Sequence, residues 1–189
     1  MTYVRETIVT TKNIDNTIKI SPLGIYIDEG ILRIRPFKPS VSLDNILRNK
    51  SGVINYVDDV RIFASCIVKK NLKIDLSKVD KIDCSRIKSA ISHTEFVVDQ
   101  IDDNHERPTI LCKPINEEIH RMYYGLNRAK SSVLELCILA SRLGIIDYKK
   151  IQDEIKYLNI AIEKTAGENE LEAWGWLKEY ISTYRENNK

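Results

Sequence analysis

The sequence predicts an α+β chain, with a β-rich first part at residues 1–113 and a small C-terminal helical bundle at residues 114–189. Three observations carry this expectation. Short β-branched runs separated by turn residues fill the first part. Beyond Asn127 the apolar residues change to spacings of three and four. Of the 189 residues 43% are hydrophobic and 30% charged, so a real core can form beneath a solvated surface.

Thr7-Ile8-Val9-Thr10-Thr11 is dense in β-branched residues and reads as the first strand. Asn13 to Asn16 supplies turn chemistry, and Thr17 to Ile27 resumes as a strand around Ser21-Pro22-Leu23-Gly24. Asp28-Glu29-Gly30 turns the chain into a third strand, Ile31 to Lys38. This strand–turn–strand spacing favours an antiparallel sheet or barrel. A short helix is expected at Leu43 to Asn49, then a strand at Gly52 to Val57. Asp58-Asp59 either ends that strand or caps a short helical turn before Ile62 to Val68. Asn71 to Arg86 is weakly patterned and reads as loop. Ser89 to Ile101 and Thr109 to Cys112 read as closing strands joined by the polar turn Asp102 to Pro108.

Three amphipathic helices follow. Val133, Leu134, Cys137, Ile138 and Ser141 share one face of a helix that begins near Asn127, with Gly144 as its stop. Tyr148, Ile151, Ile155, Leu158 and Ile162 form a second seam between Asp147 as N-cap and Gly167 as terminator. Leu171, Trp174, Leu177, Ile181 and Tyr184 form a third. Short connections suggest a hairpin or bundle.

The composition excludes several classes. No apolar run approaches the roughly 20 residues of a membrane span. Met1 to Glu6 has no apolar signal region, so the expected location is the cytoplasm. The formal charge is +2, from 29 basic and 27 acidic side chains, too balanced for a nucleic-acid-binding stripe. Cys66, Cys84, Cys112 and Cys137 contain no C-x-x-C pair and read as free thiols. His93, His105 and His120 are scattered, so no metal site is expected. Glycine-rich phosphate loops and a nucleophile elbow are also missing from the sequence.

The stretch Arg33 to Leu47 holds the chemistry of a ligand site. Arg33 and Arg35 alternate with Ile34 on one strand face, and Lys38 adds a third cation. Ser40 or Ser42 is the expected N-cap of the helix, with Asn45 near its third position. Serine hydroxyls, free amides and the positive end of a helix dipole suit a phosphate. The same residues also suit an ordinary capped helix beside an exposed strand, and Asp44 would compete with an anion for the dipole. Pro22 and Gly24 within a strand pattern imply an edge or bulge, where a flat ligand can approach the backbone.

Taken in order, these motifs resemble a family. Glu6 to Thr11, Ser21 to Ile25, Arg35 to Lys38 with Ser40, Ser42 and Asn45, Gly52 to Asn55 with Asp58-Asp59, Asn127 to Lys130, and Val133, Glu135 and Ala140 to Arg142 carry the resemblance. The set is similar to domain-of-unknown-function family 447, prokaryotic flavin reductase-like, FMN-binding split barrels with a helical C-terminal part. The resemblance implies a six-stranded FMN-binding split β-barrel and a homodimer with FMN near the interface. It places Thr10 and Thr11 beside the flavin and gives the ring the backbone of Ser21, Pro22, Leu23 and Gly24. The stretch Arg35-Pro36-Phe37-Lys38 follows, with Arg35 at the pyrimidine edge, where negative charge builds on reduction. The resemblance implies that Lys38, Ser40 and Ser42, near Asn45, hold the phosphate. The resemblance also implies that Asn55 and Asp58 act near the cofactor, across the dimer. Leu43 stands where relatives often carry an aromatic residue.

A flavin carries its own redox chemistry, so the protein need only bind, orient and tune it. This explains why no catalytic acid–base pair is visible. The expected function is that of an FMN-binding flavoprotein and oxidoreductase of flavin reductase type, with NAD(P)H as a transient substrate. A non-enzymatic FMN-binding or interaction protein is the alternative. Pyridoxamine-phosphate oxidase-like chemistry ranks lower, because no extra cationic cluster offers a second phosphate site.

Overall fold

The computed structural model describes residues 3–28, 30–103 and 106–187. Glu29 of the expected Asp28–Gly30 turn lies outside the described residues, as do Asn104 and His105 of the expected 102–108 turn. In chain order the elements are β1 (Tyr3–Lys12), β2 (Ile18–Asp28), β3 (Ile31–Ile34), α1 (Val41–Asn49), β4 (Ser51–Tyr56), α2 (Val60–Val68), β5 (Leu76–Lys78) and β6 (Ser85–Ile87). Then come β7 (Ser92–Asp102), β8 (Thr109–Ile119), α3 (Arg128–Ala140), α4 (Tyr148–Thr165) and α5 (Glu168–Asn187).

The chain packs as two units. One comprises residues 1–57 and 74–123, the other 58–73 and 124–189. In the first, six antiparallel strands close into a barrel in the order β1-β2-β3-β8-β7-β4, with β4 returning to β1. Side chains alternate across each strand, so one face of every strand fills the barrel. Val9, Ile25, Leu32, Ile34, Ile54, Phe96, Ile110 and Cys112 form that interior. Helix α1 is amphipathic and inserts Leu43 and Ile46 into the same core. Gly52 is required by this packing, since a Cβ there would stand 2.7 Å from Phe96 Cζ.

Most strand expectations are met, and the differences have local causes. The third strand ends at Ile34, four residues early, because Pro36 has no N–H for the ladder and is itself buried. Strand β8 continues to Ile119, past Cys112 and past the expected boundary after Lys113. It tolerates Pro114 because the register shifts between Glu95 and Phe96, opposite that stretch. The stretch 71–86, read as loop, contributes β5 and part of β6, a three-residue hairpin.

The second unit contains four described helices rather than three, because α2 from the middle of the chain packs with α3 and α5. Asp59 caps α2 by accepting from the Arg61 N–H and is bridged by the Arg61 guanidinium at 2.7 Å. Asn127 and Asp147 cap α3 and α4 as expected, each accepting two backbone N–H groups. Ile151 and Ile162 of the second seam are buried. The third seam is shifted: Ala173, Trp174, Leu177 and Ile181 are buried, whereas Leu171 is 54% exposed. Helix α3 ends at Ala140, and Gly144 lies beyond it at φ +84°, a backbone conformation that favours glycine. No described helix is long and apolar enough to cross a membrane.

Candidate functional site

Helix α1 begins where the cationic stretch ends. Ser40 is its N-cap and its hydroxyl accepts from the Leu43 N–H at 3.3 Å. The first intrahelical bond runs from the Asp44 N–H to the Ser40 carbonyl. Val41 and Ser42 precede it, so their amides have no intrahelical acceptor and point out of the helix start. A phosphate would find there two amides, the dipole and the Ser40 hydroxyl. Asp44 is exposed on the first turn.

This helix start is tied to β1 and β2. Ser42 Oγ donates to Ser21 Oγ at 2.7 Å. Asn45 Nδ2 reaches Thr11 Oγ1 at 3.0 Å and Asn13 Oδ1 at 2.7 Å, while its Oδ1 accepts from Arg48 at 2.7 Å. Ser42 with Ser21 and Asn45 with Thr11 are therefore two hydrogen-bonded pairs that tie α1 to β2 and β1. Residues Ser21 to Gly24 lie in the half of β2 that β3 does not reach, since β3 pairs only with Ile25 to Asp28. That half pairs on one side with β1, so Pro22 is tolerated, and its other backbone edge pairs with no strand among the described residues. Leu23 O is engaged by the Thr7 hydroxyl at 2.8 Å. Gly24 is close-packed, an added Cβ lying 3.0 Å from Val4 Cγ1.

The cations occupy the approach to α1. Arg35 is half-buried just beyond β3, with its Nε buried and lacking a hydrogen-bond partner among the described residues. Its carbonyl accepts from Arg107 Nη2 at 2.9 Å, and the Arg107 guanidinium lies 3.9 Å over the ring of exposed Phe37. Lys38 is paired with Asp103 at 2.6 Å, so part of its charge is already neutralised. Arg33 remains in β3, opposite Tyr26 and Leu111, and does not alternate with Arg35 in a continuing strand.

Three of the expected residues stand apart from this helix start. Strand alternation sends Thr10 and Thr11 to opposite faces of β1. Thr10 Oγ1 donates to Ser85 O at 2.6 Å, beneath the β5–β6 hairpin. Asn55 joins it there: Nδ2 donates to Ile8 O and Thr10 Oγ1, both at 3.1 Å, and Oδ1 accepts from the Ile87 N–H at 2.7 Å. Both residues are fully buried, and these bonds latch the hairpin to the barrel. Asp58 belongs to the helical unit, where Lys130 Nζ lies 3.4 Å away. Sequence reasoning missed Arg107, whose relation to Phe37 arises only when β8 pairs with β3.

Fit to FMN is thus good at the phosphate end. An open pair of helix amides, the Ser40 hydroxyl and a guanidinium whose buried Nε has no hydrogen-bond partner among the described residues match the donors that a phosphate and an electron-rich ring edge require.

The closed six-stranded barrel with α1 set against its wall defines a split β-barrel of the flavin-reductase kind, here joined to a helical unit. The sequence matches the family described as "Protein of unknown function (DUF447) N-terminal domain" over residues 5–121, and its companion "Protein of unknown function (DUF447)" over residues 127–179. The chain belongs to the DUF447 family. Among solved structures, an FMN-bound DUF447 protein from Methanosarcina mazei superposes with TM-score 0.82 at 21% identity, covering 94% of each chain. The 2-nitrobenzoate 2-nitroreductase of Pseudomonas fluorescens gives 0.51 at 19% identity, over 61% of this chain and 64% of that one. The flavin reductase PheA2 gives 0.52 at 10% identity, over 62% and 80%. These likenesses establish the fold. No curated protein matches the sequence.

Proposed function

We propose that this protein binds FMN and acts as an oxidoreductase of flavin reductase type, taking electrons from NAD(P)H. The observation that carries the reading is the start of α1, where the Val41 and Ser42 amides have no intrahelical acceptor and the Ser40 hydroxyl caps the helix beside them. The M. mazei relative, which holds FMN, supports it. When bound, FMN supplies hydride and electron transfer, so the chain needs no nucleophile or acid–base pair. Ser40, Ser42 and the Val41 and Ser42 amides hold the phosphate. The Ser21 to Leu23 edge orients the ring through backbone groups. Arg35 supplies positive charge where electron density collects on reduction. Lys38 serves the phosphate by leaving Asp103. A homodimer with the cofactor near its interface belongs to the same proposal.

The test begins with FMN reconstitution and desalting. One equivalent of flavin absorbance per chain is expected, with FMN preferred over riboflavin and that preference lost in Ser42→Ala. Protein that retains no flavin would sink the proposal. Anaerobic mixing with NADH or NADPH then reads the activity. Bleaching of the bound flavin within catalytic times supports the reductase, and stable yellow colour with both nucleotides refutes it in favour of a binding role alone.

A further inference from the structure

Strands β7 and β8 bring together side chains that flavin binding does not use. His93 stands directly opposite Glu118 in the register, and His120 follows Glu118 by two residues. The ligand atoms of His93, Glu118 and His120 all lie within 4.8 Å of one another. His93 Nδ1 and His120 Nε2 are 2.8 Å apart, with the ring planes within 9°. Only one proton fits between two neutral imidazole nitrogens at that distance, so one lone pair always points into the cluster.

A second observation concerns the other edge of His93. Its Nε2 is buried without a hydrogen-bond partner among the described residues, and it lies 3.8 Å from Glu95 Oε1. Glu95 is fully buried and fixed by the N–H groups of Asp80, Lys81 and Ile82 and by Asn116. A carboxylate at that edge favours the tautomer protonated on Nε2, which leaves the Nδ1 lone pair facing His120 and Glu118. Metal-binding histidines are oriented in this way, with a carboxylate behind the ring.

We propose that His93, Glu118 and His120 form a site for a divalent transition-metal ion, zinc foremost, which replaces the proton shared by the two imidazoles. Two imidazole nitrogens and one carboxylate oxygen suit zinc and its neighbours and disfavour magnesium and calcium. Bonds of about 2.0–2.1 Å in a tetrahedral site need the two nitrogens roughly 3.3 Å apart, so the cluster opens by about 0.5 Å. Half-buried His120 and exposed Glu118 can make that movement, while buried His93 stays fixed. A fourth position is left towards solvent. Burial, Arg86 and His93 hold the His120 imidazolium below its ordinary pKa. Arg86 is the opposing charge nearby. Its Nη1 is spent on Ile87 O and Lys88 O.

The test uses full-length, metal-free protein titrated with Zn²⁺ by calorimetry and with Co²⁺ by visible absorbance. One equivalent and the intense d–d absorbance of four-coordinate cobalt are expected. His120→Ala and Glu118→Gln, both near the surface, should each weaken binding by at least about tenfold. His105→Ala should leave it unchanged. No saturable binding, or equal affinity in folded His120→Ala and Glu118→Gln protein, would overturn the assignment. Neither outcome depends on whether the chain holds FMN.

Discussion

Replacing Asn55 by alanine separates two roles for that residue, cofactor contact and structural latch. Its carboxamide lies at 0% exposure, so water cannot replace what is lost. Nδ2 donates to Ile8 O and Thr10 Oγ1 at 3.1 Å and to Val53 O at 3.3 Å, and two hydrogens serve these three acceptors. Losing two bonds costs about 1 kcal/mol each, and the Ile87 N–H orphaned from Oδ1 adds about 1–3, for a total of about 3–5 kcal/mol. Urea unfolding followed by far-UV circular dichroism measures the loss. Tryptophan fluorescence is the wrong probe, because Trp174 and Trp176 both lie in the helical unit and leave the barrel silent. Asn55→Asp should be at least as damaging: it keeps the acceptor for Ile87 but turns a carboxylate towards Ile8 O and Val53 O. FMN affinity of the folded fraction should not change. A loss of stability under about 1 kcal/mol, or fully folded Asn55→Ala protein with weakened FMN binding, would refute the latch.

Three further outcomes are expected. Gly52→Ala should destabilise the barrel by about 1–3 kcal/mol through overpacking against Phe96, and Phe96→Leu in the same chain should recover part of it in the same urea assay. Burial pushes the Cys84 thiol up to about 11 and the Cys112 and Cys137 thiols up to about 12, so an aromatic disulfide reagent at pH 8 should titrate half-exposed Cys66 first and all four only in urea. Burial alone would raise the Glu95 carboxyl, but Asn116 and three backbone N–H groups outweigh it and hold it below its ordinary value. Its contribution is therefore present above the ordinary glutamate value of about 4.3 and lost as pH falls through the lower folded value, so thermal melts from pH 7 down to 3 should show a drop that Glu95→Gln flattens.

The barrel was legible because its strands carry local patterns. Thr7 to Thr11 is β-branched and bounded by Asn13 to Asn16, so both its type and its end could be read. Only the reason for its unbroken burial was hidden. Val9 and Thr11 face the core and α1, while Thr10 is covered by a hairpin more than seventy residues away in sequence. That hairpin has strands of three residues with mixed polarity, too short for any periodicity to register. Helix α2 was missed as a member of the bundle for a related reason. Its nine residues signal a helix, but nothing in them says that the chain leaves the barrel at Asp58 and returns at Ile74.

The candidate site divides along the same line. A helix start is a local object: Ser40, Ser42 and Asn45 lie within six residues, and the amides they accompany are open by construction of the helix. Its chemistry could therefore be stated before the fold was known. Pairing is not local. Asp103 takes the charge of Lys38 from sixty-five residues away, and Arg107 settles over Phe37 from seventy. His93 and His120 have no motif spacing at all, yet an antiparallel pair fixes their separation as firmly as a helical turn would. A histidine scan that counts only near neighbours along the chain is blind to such a cluster. Once a register is known, the residues opposite and two beyond become the relevant spacing, and the cluster at the end of β7 and β8 becomes as readable as a helical metal motif.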